Sequence, residues 1–197
     1  MHDLQSILEQ CWLKLTLASQ TPGAAWRTPV LATVSAQQPR QRTVVLRGVD
    51  AAVGSLWLHS DLRSAKFRQL DLQPAVSLLF YDPAAETQLQ VRGRAVVHTA
   101  GAVWQQLWDS SPESSLRMYL APQPPGTRCS GPSPNLPEQF VGQLPGRSDL
   151  AAGLSNFAVV EIQAEELEWL QLSRAGHRRA EFVVCAGTLQ QATWLEP

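Results

Sequence analysis

The sequence predicts a mainly β protein with flanking helices, an antiparallel barrel built as one domain over residues 1–197. Three observations predict it. Eight or so short segments are rich in Val, Leu, Trp and Thr, and several alternate apolar with polar residues, the period of a strand. Gly, Asp and Pro clusters punctuate them as turns, and helical periodicity is confined to a few stretches. A chain of 197 residues with a hydrophobic fraction of 44% can bury one sizeable core.

Residues 3–18 predict an amphipathic helix, because Leu4, Ile7, Leu8, Cys11, Trp12 and Leu15 recur on one face. Such a helix would cover one end of a barrel. Pro29–Ser35 reads as the first strand and Gln37–Arg40 as a polar turn. Arg42 then starts a strand whose body is Thr43-Val44-Val45-Leu46, and Arg47 leaves it. Gly48, Asp50 and Gly54 allow a turn, and Ser55 to Ser60 returns. Asp61 and Ser64 are candidate N-caps of a helix carrying Ala65, Lys66, Phe67 and Leu70.

Pro74 leads into an apolar strand, Ala75–Tyr81, and Asp82-Pro83 turns it toward Gln88–His98. In that long strand Leu89, Val91, Gly93, Ala95 and Val97 alternate with Gln88, Gln90, Arg92 and Arg94, so one face is core. Ala102–Leu120 predicts two short helices divided at Pro112. Residues 122–153 are rich in Pro, Gly and Ser and too long for an ordinary loop, which reads as a mobile or lid-like segment. Asn156–Ile162, Leu167–Leu172, Arg179–Cys185 and Ala192–Leu195 read as four further strands, too little chain for a second core.

Charged residues make up 17% of the chain and the net charge is −1, which disfavours nucleic acid as a partner. No apolar run approaches the roughly 20 residues that cross a bilayer, and charge interrupts the N-terminal stretch too early for a signal peptide. Cys11, Cys129 and Cys185 are scattered and odd in number, and His2, His59, His98 and His177 lack ligand spacing. Neither a disulfide framework nor a metal site is expected, and a cytoplasmic location is. No Ser/His/Asp or Cys/His constellation supports hydrolysis.

The stretch from Arg42 to Leu70 carries the chemistry. Basic and hydroxyl residues gather at the ends of its elements, and a helix N-terminus adds unpaired N–H groups and a positive dipole end. Arg42, Ser60 and Lys66 in that setting suit a phosphate monoester. Only two of the sixteen basic residues are lysines, and one of them, Lys66, stands in the first turn of this helix. Arg42 and Arg47 are five apart, so an unbroken strand would point them to opposite faces; only a bulge or a turn lets both reach one ligand.

That arrangement resembles the FMN-binding split-barrel family typified by pyridoxamine 5'-phosphate oxidase, over roughly residues 26–120. Gln73-Pro74 before the apolar strand and the Gln88-Leu89-Gln90-Val91-Arg92-Gly93-Arg94-Ala95 strand continue the likeness. The resemblance implies a split β-barrel, FMN as cofactor and a homodimer with each flavin between subunits. It implies that Arg42, Ser60 and Lys66 hold the phosphate, while Val44, Val45 and Leu46 run beside the ring. Arg47, His59, Gln88, Trp169 and Arg179 complete the cofactor set by position, and Ser115 and His177 are the substrate-binding candidates.

Departures point away from the oxidase itself, toward a less characterised branch. Ala65 replaces one helix cation, Arg47 a substrate lysine, and Leu107 and Ser111 a substrate tyrosine and arginine. His177-Arg178-Arg179 departs from the terminal arginine–x–histidine, and the next cofactor arginine falls near Glu181 unless the register shifts to Arg179. The resemblance implies an FMN-dependent oxidoreductase acting on a small-molecule substrate not identifiable from these residues. A flavin- or haem-binding protein without turnover, and a barrel that has lost its cofactor, are the alternatives.

Overall fold

The computed structural model describes residues 3–36 and 38–197; Met1, His2 and Gln37 lie outside it, and with them the turn reading at Gln37 and the histidine at position 2. The described residues form nine strands with flanking helices in one mostly antiparallel sheet. The strands are β1 (Val30–Ser35), β2 (Gln38–Thr43), β3 (Leu46–Asp50), β4 (Ser55–Asp61), β5 (Ala75–Asp82), β6 (Thr87–His98), β7 (Phe157–Gln171), β8 (Arg178–Cys185) and β9 (Thr188–Leu195). Helix α1 spans Leu4–Gln20, α2 Ala65–Leu72, α3 Ala102–Ser110, α4 Glu113–Leu116 and α5 Arg147–Leu150.

Strand order is β2-β1-β5-β6-β7-β4-β3, with β8 pairing β7 and β9 pairing β8. Strands β2 and β3 stand at opposite ends of that path, yet only Val44 and Val45 separate them in sequence. Three Cα steps reach at most about 11 Å, whereas six flat inter-strand steps would span roughly 29 Å. The sheet must therefore curl, and it does so without closing into a full barrel.

The expected single strand through Arg42–Leu46 is broken at those two valines. β2 pairs with β1, β3 pairs with β4, and the Val44 N–H donates to the Pro29 carbonyl at 2.9 Å. Residues 38–40 are strand rather than turn, for β2 is an exposed edge strand whose polar residues lack a core signature. Two of the four expected late strands are one. β7 runs unbroken for 15 residues, because the polar stretch Gln163-Ala164-Glu165-Glu166 is held by neighbours on both sides. Within it the Ala164 N–H donates to the Gly54 carbonyl at 2.9 Å.

The chain divides into two compact units, one of Met1–Leu58, Gln69–Val96 and Glu161–Pro197, the other of His59–Arg68 and Val97–Val160. In the first, α1 is capped by the Asp3 carboxylate, which accepts the Ser6 N–H at 2.7 Å. Its buried face (Ile7, Leu8, Cys11, Trp12, Leu15) packs against β3. The β8–β9 hairpin turns on Ala186 and Gly187, both at positive φ, the two-residue geometry that suits the sheet's twist. In β6 the expected alternation holds from Leu89 to Arg94 and fades after it, where Val97 is exposed.

In the second unit Phe157 is ringed by His59, Trp104, Trp108 and Tyr119, with ring centroids 5.0–5.8 Å away. The Pro- and Gly-rich stretch is tied within this unit. Asn135 bonds the backbone of Gln123 in both directions, Leu150 is fully buried, and Arg147 donates to the carbonyls of Ser111 and Trp108.

Gly93 lies against the backbone of β7. A Cβ there would stand 2.0 Å from the Gln163 carbonyl oxygen of β7. Gly93→Ala is expected to lower unfolding stability by about 1–3 kcal/mol, read from the midpoint shift in urea, whereas Ala95→Gly should cost no more than about 1 kcal/mol.

Candidate functional site

Helix α2 begins just after a turn anchored by one carboxylate. Asp61, buried at the end of β4, accepts the Arg63 N–H at 2.8 Å and pairs with the Arg63 guanidinium at 2.6 Å. Arg63 also donates to the Ala121 carbonyl, and the Asp61 carboxylate lifts its pKa above the ordinary value. Arg63 is thus spent on structure and does not replace the cation missing at Ala65. Ser64 precedes the helix, and the Lys66 ammonium donates to Ser60 Oγ and, at 3.1 Å, to Ser64 Oγ. One cation and two hydroxyls converge at a helix start, a donor set suited to phosphate oxygens.

Arg42 is half-buried on β2, opposite Leu31 of β1. Its guanidinium donates to Thr33 Oγ1 at 2.6 Å and to Gln69 Oε1 at 2.9 Å, and lies near the Leu31 and Arg40 carbonyls. All of these partners are neutral, and among the described residues no carboxylate pairs with it. Burial, and then the charge of Arg40, lower its pKa. A desolvated cation without a counter-charge is stabilised by any anion that reaches it. Thr33 and Gln69 carry no motif of their own; only the α2 spacing, Gln69 three residues beyond Lys66, points to Gln69.

Arg47 lies half-buried in a bulge, since β3 and β4 shift register between the Leu46↔Leu58 and Gly48↔Trp57 pairs. With β2 and β3 separate strands, alternation no longer relates Arg42 to Arg47. Leu46 is fully buried and Val44 and Val45 are half-buried. His59 stands edge-on to Phe157, and Ser115 is half-buried on α4. Gln88, half-buried on β6, pairs across to Tyr81.

Trp169 and Arg179 stand on opposite faces of the β7–β8 pair. Trp169 pairs with Ala180 and is buried, whereas Arg179 pairs with Leu170 and donates twice to Glu168, at 2.9 and 3.1 Å. One ligand cannot meet both side chains within one face of this hairpin. Arg92 of β6 bridges Glu166 and Glu168, completing a cluster of two guanidiniums with Glu166, Glu168 and Glu181. His177 is exposed, and its Nδ1 accepts the Ser173 N–H at 3.1 Å, so the neutral ring carries its proton on Nε2.

Residues 9–99, just under half the chain, match the family model described as pyridoxamine 5'-phosphate oxidase, FMN-binding domain. Over that stretch the chain matches the pyridoxamine 5'-phosphate oxidase family. The pyridoxine/pyridoxamine 5'-phosphate oxidase of Chromobacterium violaceum is 32% identical over 87 residues, 44% of this chain and 39% of that protein. The chain thus spans about two fifths of the length of that curated relative. A pyridoxamine 5'-phosphate oxidase-related, FMN-binding protein from Nostoc punctiforme has the same fold, with a TM-score of 0.69, 19% identity and coverage of 100% and 99% of the two chains. PhzG from Burkholderia lata, solved with tetrahydrophenazine-1-carboxylic acid, superposes with a TM-score of 0.66, 19% identity and coverage of 97% and 91%.

The oxidase-like family match contains Arg42, Ser60, Lys66 and Gln88 and stops short of the β7–β8 cluster. In that cluster burial raises the Glu166 pKa; Arg92 opposes the shift, and the charges of Glu181 and Glu168 add to it. A carboxyl whose folded pKa exceeds its unfolded value withdraws stability as pH rises from the unfolded value to the folded one. Glu168→Gln is expected to lower the Glu166 pKa toward the ordinary carboxylate value, followed by carbon-detected NMR titration of the side-chain carboxyl.

Proposed function

We propose that the protein is an FMN-binding oxidoreductase, with the flavin phosphate held by Lys66, Ser60 and Arg42. The observation that carries the reading is Arg42, a half-buried guanidinium whose partners are all neutral oxygens. The residues present fit the group: cations and hydroxyls for a dianion, and apolar Val44 and Val45 for a flat ring.

FMN, when bound, would supply hydride and electron transfer that no side chain here provides. This chain's own residues do the rest. Lys66, with Ser60 and Ser64 around its ammonium, orients the phosphate. Arg42 offsets its second charge, and Gln88 offers an amide to the polar edge of the ring. His177, with its Nδ1 accepting from Ser173, presents an Nε2–H donor to a substrate anion, and Ser115 a hydroxyl. We assign the functional form as a homodimer, because Trp169 and Arg179 serve different faces and a second subunit lets both contribute. Among the described residues no helix is long and apolar enough to cross a membrane.

Titration with FMN should change the visible flavin spectrum and show saturable binding, with riboflavin far weaker. Lys66→Ala and Arg42→Ala are each expected to weaken FMN by roughly tenfold to a hundredfold, the cost of one or two charge-assisted bonds. Equal affinity for riboflavin, or unchanged affinity in both variants, overturns the phosphate assignment. Reduction of the loaded protein by NAD(P)H or a vitamin B6 amine, with oxygen uptake, separates an oxidoreductase from a carrier.

A further inference from the structure

A cavity lies within the first unit. Helix α1, Trp26, the β5–β6 turn and the β7–β8 hairpin enclose a cavity of about 130 Å³. Its floor is Ile7, Cys11, Trp26 and Trp169, all buried. Burial pushes the Cys11 thiol up to about 12, so the floor carries no charge at neutral pH. Exposed Lys14 and Arg178 stand at the rim.

Each cation lies over one of the two indoles. Lys14 Nζ is 5.4 Å from the Trp26 ring centroid, and the Arg178 guanidinium carbon is 5.4 Å from that of Trp169. Arg178 is held there by its bond to the Gln171 side chain. Among the described residues no Asp or Glu lines the cavity, so its two cations are not matched by an anion. The Trp26 indole N–H is buried and meets no acceptor.

Size decides the class of ligand. A cavity of about 150 Å³ admits a single benzene ring, whereas cofactor sites occupy roughly 300–1,000 Å³. The cavity therefore excludes a flavin and accepts one small ring or a short branched chain. Two aromatic walls favour a flat apolar body, and the cationic rim favours an oxyanion at its edge.

We propose that this cavity binds a small monocyclic aromatic carboxylate, its ring against Trp26 and Trp169 and its carboxylate at Lys14 and Arg178. The inference rests on the cavity itself and not on the flavin reading, although Trp169 is common to both.

Benzoate is the probe, with benzamide as its neutral counterpart of equal size, measured by calorimetric titration of the full chain with and without FMN. Benzoate is expected to bind with a dissociation constant of about 1 mM or below and benzamide at least about tenfold more weakly. Lys14→Gln and Arg178→Gln, both at exposed positions, should each weaken benzoate about tenfold or more while leaving benzamide affinity unchanged. Absence of benzoate binding, equal binding of the two probes, or indifference to both variants overturns the proposal.

Discussion

Two residues set the shape of this sheet. Val44 and Val45 join the strands at opposite ends of the seven-strand path, and a link that short compels the sheet to bend back on itself. The Arg47 bulge adds local twist where β3 leaves the link. Gly93 lets β6 approach β7 where a side chain would collide with the Gln163 carbonyl.

The same link decides what Arg42 can do. On an unbroken strand it would share an alternation with Arg47. As the next-to-last residue of β2 it instead faces Thr33 and Gln69, half out of water and without a carboxylate. Arg63 shows the opposite arrangement, a guanidinium satisfied by Asp61 and the Ala121 carbonyl. Arg92 and Arg179 are likewise matched by Glu166 and Glu168. Charge alone does not distinguish these arginines. What separates them is whether folding brings a counter-charge to each, and the cations it leaves among neutral partners or aromatic rings are those suited to receive an anion.

Legibility along the chain followed the strength of the local signal. α1 was readable from its apolar stripe, and β6 from its alternation up to Arg94, because burial there repeats with the period of the backbone. The cluster of Ser60, Ser64 and Lys66 was half readable: helix spacing places the lysine and the turn residues near one another, and the structure closes their hydrogen bonds. The break at Val44-Val45 was not readable, since two β-branched residues look like strand whether or not they find a partner. β7 failed in the opposite sense. Its central Gln163-Ala164-Glu165-Glu166 has weak strand preference and is kept extended by pairing on both sides. Glu168 as the partner of Arg179 was also hidden, because the β7–β8 register depends on where the connecting loop begins and ends.

The sequence by itself determined the mainly antiparallel class, the order of its elements and the phosphate-suited residue types at the start of α2. Those rest on periodicity, turn chemistry and capping, which act over a few residues. The tertiary structure alone decided which strands pair, which face Trp169 and Arg179 each occupy, and which cations go without a carboxylate. It alone created the cavity between α1 and the β7–β8 hairpin. Pairing, register and burial are set by residues far apart in the chain, and no local pattern records them.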